Sequence, residues 1–319
     1  MELIIIGDLM THQHRPVLLN EAVNGLHIMS GGTYCDLTFG RGGHSTQILK
    51  EIGPQGRLIA MDRDPVAVLS AKEMPDFQDP RFTIVHGEFS MLEQVVTEQG
   101  VLGRVDGILL DIGVSSPQLD DAARGFSFLH DGPLDMRMNP TVGISAAEWL
   151  NTAELEEISL VIRDYGEEKF HHRIARAIVE ARVEAPFSTT VQLANLISKT
   201  VPVKERHKHP ATRAFQAIRI FINQELDQLK MVLDQALKVL TVGGRLCVIS
   251  FHSLEDRIVK QFIKQQSNVN KYPSYLPIKD VDIKTRMKKV GSLIRPADEE
   301  LQFNPRARSA RLRIAEKLS

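Results

Sequence analysis

Short apolar runs recur through the first third of the chain at helix-plus-turn intervals, at 33–37, 57–61, 82–86 and 107–111. Such runs predict buried strands, and the stretches between them predict helices. Ile108-Leu109-Leu110 is apolar without alternation, as a parallel strand covered on both faces requires. Past Asp111 the rhythm stops. Residues 112–140 carry Gly, Ser, Pro and Asp throughout and predict a long functional loop. Helical spacing then takes over: Ser145-Ala146-Ala147-Glu148 reads as a capping box, and apolar residues recur at helical intervals in 153–163, 169–182 and 191–199. The α/β alternation returns with a long helix over 211–240, a strand over 245–250 and a helix over 254–265. Residues 268–300 are polar and loop-like, and 309–315 alternates as a late strand. The expected class is α/β: one α/β domain from residues 1–118 and 211–319, split by an inserted helical domain at 119–210. No internal repeat is evident.

Composition narrows the picture. A chain of 319 residues with 43% hydrophobic content can fill a full core. No run approaches the roughly 18 apolar residues of a membrane helix. Net charge is -1, so affinity for a polyanion must come from local clusters. Cys35 and Cys247 sit in apolar strand patterns and read as buried thiols of a reducing compartment. Met1–Ile6 lacks basic residues and a cleavage site, which argues against a signal peptide. Met10 is a second plausible start, so the residues before it are expected to be dispensable.

The candidate chemistry begins at Asp36-Leu37-Thr38-Phe39-Gly40-Arg41-Gly42-Gly43-His44, followed 20 residues after Gly42 by Asp62. Strand, glycine turn, helix, strand and acid form the layout that grips a nucleotide-like ligand, with the acid accepting from ribose hydroxyls. A dinucleotide site needs a third glycine as the helix opens, and here His44-Ser45-Thr46 stands instead. The turn therefore suits a ligand without pyrophosphate, such as S-adenosylmethionine. The backbone of Gly42, Gly43 and His44 would hold its amino-acid portion and Asp62 its ribose. Phe89 either covers the adenine or is an ordinary core aromatic.

Asp111 ends a strand where an open parallel sheet faces its ligand crevice, and Ser115-Ser116-Pro117-Gln118 follows. A methyl acceptor would lie there. The turn partly matches the Asp/Asn/Ser-Pro-Pro-aromatic turn of amino-group methyltransferases, with Gln118 and Leu119 replacing the second proline and the aromatic. An exocyclic amine is a poor nucleophile until it pyramidalises, and acceptors on its N–H groups favour that geometry. The Ser116 hydroxyl or its backbone carbonyl is the candidate acceptor; as the alternative, Asp111 simply caps a strand end.

Ser250-Phe251-His252-Ser253-Leu254-Glu255-Asp256-Arg257 ends a further strand on the same rim. Without a G-x-S-x-G elbow it reads as a substrate-positioning rim rather than a hydrolytic triad. Basic residues gather at Lys204-Glu205-Arg206-His207-Lys208-His209, leading to Arg213 and Arg219, and at Arg306, Arg308, Arg311 and Arg313. Two patches flanking the crevice favour phosphate contacts over a merely solvated face. His171-His172 lacks partners at metal spacing, and no metal is expected.

Together these stretches resemble the bacterial 16S rRNA cytosine-N4 methyltransferases. The resemblance runs from His14-Arg15-Pro16-Val17-Leu18-Leu19 to the arginine-rich tail. Besides the turns above it is carried by Asp62-Arg63-Asp64-Pro65, Gly125-Phe126-Ser127-Phe128, Asp131-Gly132-Pro133-Leu134-Asp135-Met136-Arg137-Met138 and Arg213-Ala214-Phe215-Gln216-Ala217-Ile218-Arg219. It implies a Rossmann-like class I methyltransferase sheet and a cytoplasmic enzyme moving a methyl group from S-adenosylmethionine to N4 of a decoding-site cytidine. The implied partner is 16S rRNA within the assembled small subunit, with no membrane and no obligate protein partner. Cofactor contacts carry over onto Gly42, Gly43, His44, Asp62, Phe89, Asp111 and Gln118, and RNA contacts are expected at Arg213, Arg219, Arg306 and Arg308. Two rivals stand beside this reading, a nicotinamide-dependent oxidoreductase and a non-enzymatic ribosome-assembly factor.

Overall fold

The computed structural model describes residues 16–203, 209–267 and 285–319. In chain order, α1 (Leu19–Leu26) precedes β1 (Thr33–Asp36), α2 (Gly43–Glu51), β2 (Arg57–Asp62), α3 (Pro65–Glu73), β3 (Phe82–His86), α4 (Leu92–Glu98) and β4 (Val105–Asp111). A helical stretch follows: α5 (Ser116–Asp120), α6 (Ala146–Thr152), α7 (Leu155–Gly166), α8 (His171–Glu184), α9 (Thr190–Thr200) and α10 (Thr212–Ile222). The chain ends with α11 (Glu225–Val239), β5 (Leu240–Ser250), α12 (Ser253–Ser267), β6 (Met287–Ile294), α13 (Asp298–Phe303) and β7 (Arg311–Lys317).

The sheet has seven strands in the order β3-β2-β1-β4-β5-β7-β6. β1 to β5 are parallel, whereas β7 runs antiparallel to both β5 and β6. Alternate side chains of each central strand serve opposite cores, as the two-residue period of a strand requires. Cys35, Ile59, Met61, Ile108, Leu110, Leu246 and Val248 face α4, α11 and α12. Tyr34, Leu58, Ala60, Leu109, Cys247 and Ile249 face α1 and α2. A third core, from Phe126 to Ile218, binds α6 through α10 into a helical layer. Both cysteines are buried and unpaired, and burial pushes the Cys35 thiol up to about 12.

Several sequence expectations change here. The helix expected over 211–240 is two, α10 and α11, broken where Gln224 takes a left-handed φ of 50°. The break is held by Asn223, whose side chain accepts from Met138 N–H (2.8 Å) and donates to Met136 O (2.8 Å). The expected 268–300 loop contains β6 and the start of α13, while its 268–284 part lies outside the described residues. The 112–140 loop contains α5 and a 3-10 turn at Ala122–Arg124. Arg311 and Arg313, read as part of a basic patch, instead converge on Asp256 at 2.8 and 2.7 Å. The Ser145 capping box is present, with Glu148 returning to Ser145 N–H at 2.7 Å.

Candidate active site

Because β1, β2, β4 and β5 are parallel, Asp36, Asp62, Asp111 and Ser250 reach the same edge of the sheet, where open α/β sheets bind ligands. A cavity of about 270 Å³ opens there, lined among others by Thr38, Gly40, Gly43, His44, Asp62, Phe89, Asp111, Ser116 and Gln118. Of the expected cofactor residues only Gly42 stands behind the lining. It is the left-handed N-cap of α2 (φ 74°), and a Cβ there would meet the Phe77 ring at 2.4 Å. Gly43 is crowded too: its Cβ would fall 2.1 Å from Pro16.

The acids have distinct surroundings. Asp36 is buried and spoken for, accepting from Ser45 Oγ (2.6 Å) and Thr38 N–H (3.3 Å), so it braces the turn. Asp62 accepts from Gly40 N–H (2.7 Å) and Asp64 N–H (2.8 Å). Burial pushes its carboxyl up to about 6, against the pull of those N–H groups. Asp111 is the least satisfied: its Oδ1 has no hydrogen-bond partner. Burial, then repulsion from Asp36, Glu255 and Glu300, raises its carboxyl well above the ordinary range. An orphaned buried carboxylate oxygen facing a cavity calls for a donor or a cation from the ligand. His44 lies 3.9 Å from the other Asp111 oxygen, and its Nε2 is 3.1 Å from Val17 O. Burial lowers its imidazole, opposed by Asp36.

Ser116 opens α5, whose N-cap Ser115 and Gln118 form a reciprocal capping box. Gln118 spends its amide on structure, accepting from Ser115 N–H (3.0 Å) and donating to Asp64 (2.9 Å). Arg124 also reaches Asp64, at 2.7 Å. Asp64 thus ties the long loop to the β2–α3 corner while capping α3 through Val66 N–H. Sequence reading passed over this role, although an Asp directly before Pro65 is the signal of a helix N-cap. It also gave no site role to Pro16, Met138 and Glu225, which line the cavity and come from distant parts of the chain, whereas Phe251 belongs to the Ser250–Arg257 rim expected there.

The expected RNA residues scatter. Arg219 is not on an outer face: it forks onto Glu225 at 2.8 and 2.8 Å within the cavity wall. Arg306 stands at the cavity, paired with Asp120. Arg308 is exposed, and Arg213 lies 3.9 Å from Glu168. Lys204, Arg206 and Lys208 lie outside the described residues, as does the start of the resemblance at His14-Arg15.

A sheet in this order, with one antiparallel strand slotted between β5 and β6 and a glycine turn facing two acids, defines a Rossmann-like class I methyltransferase. The chain matches the model of the MraW methylase family over residues 11–318, and it belongs to that family. Proteins of Coxiella burnetii strains RSA 331 and CbuK_Q154, each named Ribosomal RNA small subunit methyltransferase H, are 58% identical over 306 residues, 96% of this chain and 99% of theirs. A solved structure titled as a putative rRNA-methylase from Clostridium thermocellum superposes at a TM-score of 0.45 with 11% identity, covering 96% of this chain and 100% of that one. Among the described residues no helix is long and apolar enough to cross a membrane.

Proposed function

We propose that this protein transfers a methyl group from S-adenosylmethionine to the exocyclic N4 of a decoding-site cytidine in 16S rRNA, acting on the small ribosomal subunit in the cytoplasm. The observation that carries the reading is the orphaned Asp111 Oδ1 opposite Asp62, across a glycine turn in one cavity. S-adenosylmethionine, when bound, supplies an electrophilic methyl on a cationic sulfur. Asp62 would accept from the ribose hydroxyls, the Gly43 and His44 backbone would hold the amino-acid end, and Phe89 would lie against the base. Asp111 would take a donor or the positive charge. Ser116, at the cavity edge, is the acceptor that would orient the amine N–H; the methylated amine is acidic enough to need no strong base. Gln118 contributes by shaping the Ser116 bend. A cytidine in structured RNA would have to be splayed out to reach this depth, costing a few kcal/mol. Arg306, Arg308 and Arg213 would offset part of that through phosphate contacts, with Arg219 forming the wall. The rRNA methyltransferase names of relatives 58% identical support this substrate class.

The decisive experiment supplies purified protein, labelled methyl donor and unmodified small subunits, followed by mass spectrometry of the 16S rRNA. Enzyme-dependent label on a decoding-site cytidine is expected. Binding to subunits without label would instead identify an assembly factor, and saturable NAD(H) binding an oxidoreductase.

A further inference from the structure

We propose that Glu225, His252 and Glu255 form a site for one divalent cation beside the cavity, separate from the residues assigned to the methyl donor. Glu225 opens α11 directly after the helix break, and His252 and Glu255 stand at the β5–α12 turn. One ligand atom from each lies within 4.8 Å of the others. The two glutamates are 3% and 0% exposed, and the His252 side chain is 9% exposed.

A second observation points to a ligand. His252 Nε2 and Glu255 Oε1 face each other at 3.0 Å as an ion pair, and neither buried atom has a further hydrogen-bond partner. The other Glu255 oxygen is occupied by Phe251 N–H (2.8 Å) and His252 N–H (3.2 Å), leaving Oε1 as the free ligand atom. Charge agrees. Two buried carboxylates face one guanidinium, Arg219, and with the imidazole neutral, as a metal ligand must be, a negative charge is left for a dication to offset. Glu225 bonds Arg219 with both oxygens but retains a second lone pair on each for a metal. One imidazole with two carboxylates suits Mn²⁺ better than Mg²⁺, which rarely accepts nitrogen. Loading puts the ring proton on Nδ1, giving up the 3.4 Å contact from Glu255 N–H and replacing the His252–Glu255 ion pair with bonds to the metal. The ion would pin the β5–α12 turn to the α10–α11 corner.

Full-length protein stripped with chelator and titrated with Mn²⁺, with free ion followed by electron paramagnetic resonance, tests this. One Mn²⁺ per chain is expected, with a rise in Tm. Glu255→Gln, which keeps an oxygen for the two N–H groups, and His252→Gln should each weaken binding at least tenfold while remaining folded by circular dichroism. Occupancy far below one ion per chain, or variants that bind as tightly as the parent, overturns the site; Zn²⁺ binding in place of Mn²⁺ overturns the assignment to Mn²⁺. S-adenosylmethionine affinity measured on the same metal-free samples separates this outcome from failure of the methyltransferase reading.

Discussion

At the residue scale, Asp62 couples cofactor binding to pH. Its carboxyl, pushed up to about 6 by burial, lies above the 3.8 of an unfolded chain. Between those values the folded protein keeps a proton that the unfolded chain gives up, so this group's contribution to stability declines as pH rises from about 4 to about 6. Ribose hydroxyls donate to the ionised form, so binding must expel that proton. S-adenosylmethionine affinity should therefore rise with pH up to about 6 and level off above it. Calorimetry near pH 5.5 in two buffers of different ionisation enthalpy should show proton release, and none would remove Asp62 from the ribose site. Asp62→Ala should weaken binding at least tenfold, since hydrogen bonds to a charged group contribute about 1.5–3 kcal/mol. Gly42→Ala acts differently. Its φ of 74° and the Phe77 ring 2.4 Å from the new Cβ demand backbone movement, so about 1–3 kcal/mol of stability should be lost in thermal unfolding.

At the element scale, what the sequence made legible followed burial. Strands β1, β2, β4 and the 245–250 part of β5 read clearly because both faces are covered, and the acids at their tips were legible as candidate site residues for the same reason; β3 is a half-buried edge strand that its apolar Phe82, Ile84 and Val85 still marked. β6 did not, because Met287-Lys288-Lys289-Val290-Gly291-Ser292 is an edge strand whose side chains alternate toward solvent, and lysines guard such edges. The α10–α11 break was hidden as well: Asn223-Gln224 carries no Gly or Pro, and tertiary bonds hold it open, from Asn223 to Met136 and Met138 and from Arg63 to the Asn223 carbonyl. The same distance in sequence concealed the placement of Glu225 in the cavity wall. Asn223→Ala leaves a buried N–H and C=O without these partners, at about 1–3 kcal/mol for each group. A lowered Tm is the expected result; an unchanged Tm would show that α10 and α11 set their own corner.

At the scale of the whole molecule, a chain of net charge -1 can attract a polyanion only by sorting its cations. The tail does this within eight residues. Arg311 and Arg313 point back to Asp256, with Arg313 only 14% exposed, and serve the sheet edge. Arg306 stands 45% exposed at the cavity, and Arg308 is exposed beside it. The Arg306 pair with Asp120, also exposed, contributes little, so a phosphate can displace it. Replacing Arg306 and Arg308 together with Ala should therefore weaken RNA binding and reduce the salt slope by about 2, one for each lost phosphate contact, with cofactor affinity unchanged. Arg313→Ala should do the reverse, lowering stability by about 1.5–3 kcal/mol because it removes one of the two guanidinium partners of a buried carboxylate while Arg311 remains. Filter binding across a salt series, alongside calorimetry with S-adenosylmethionine, distinguishes the two classes. A collapse of cofactor affinity in the Arg306/Arg308 double variant would mean that this end of the tail, too, holds the fold rather than the RNA.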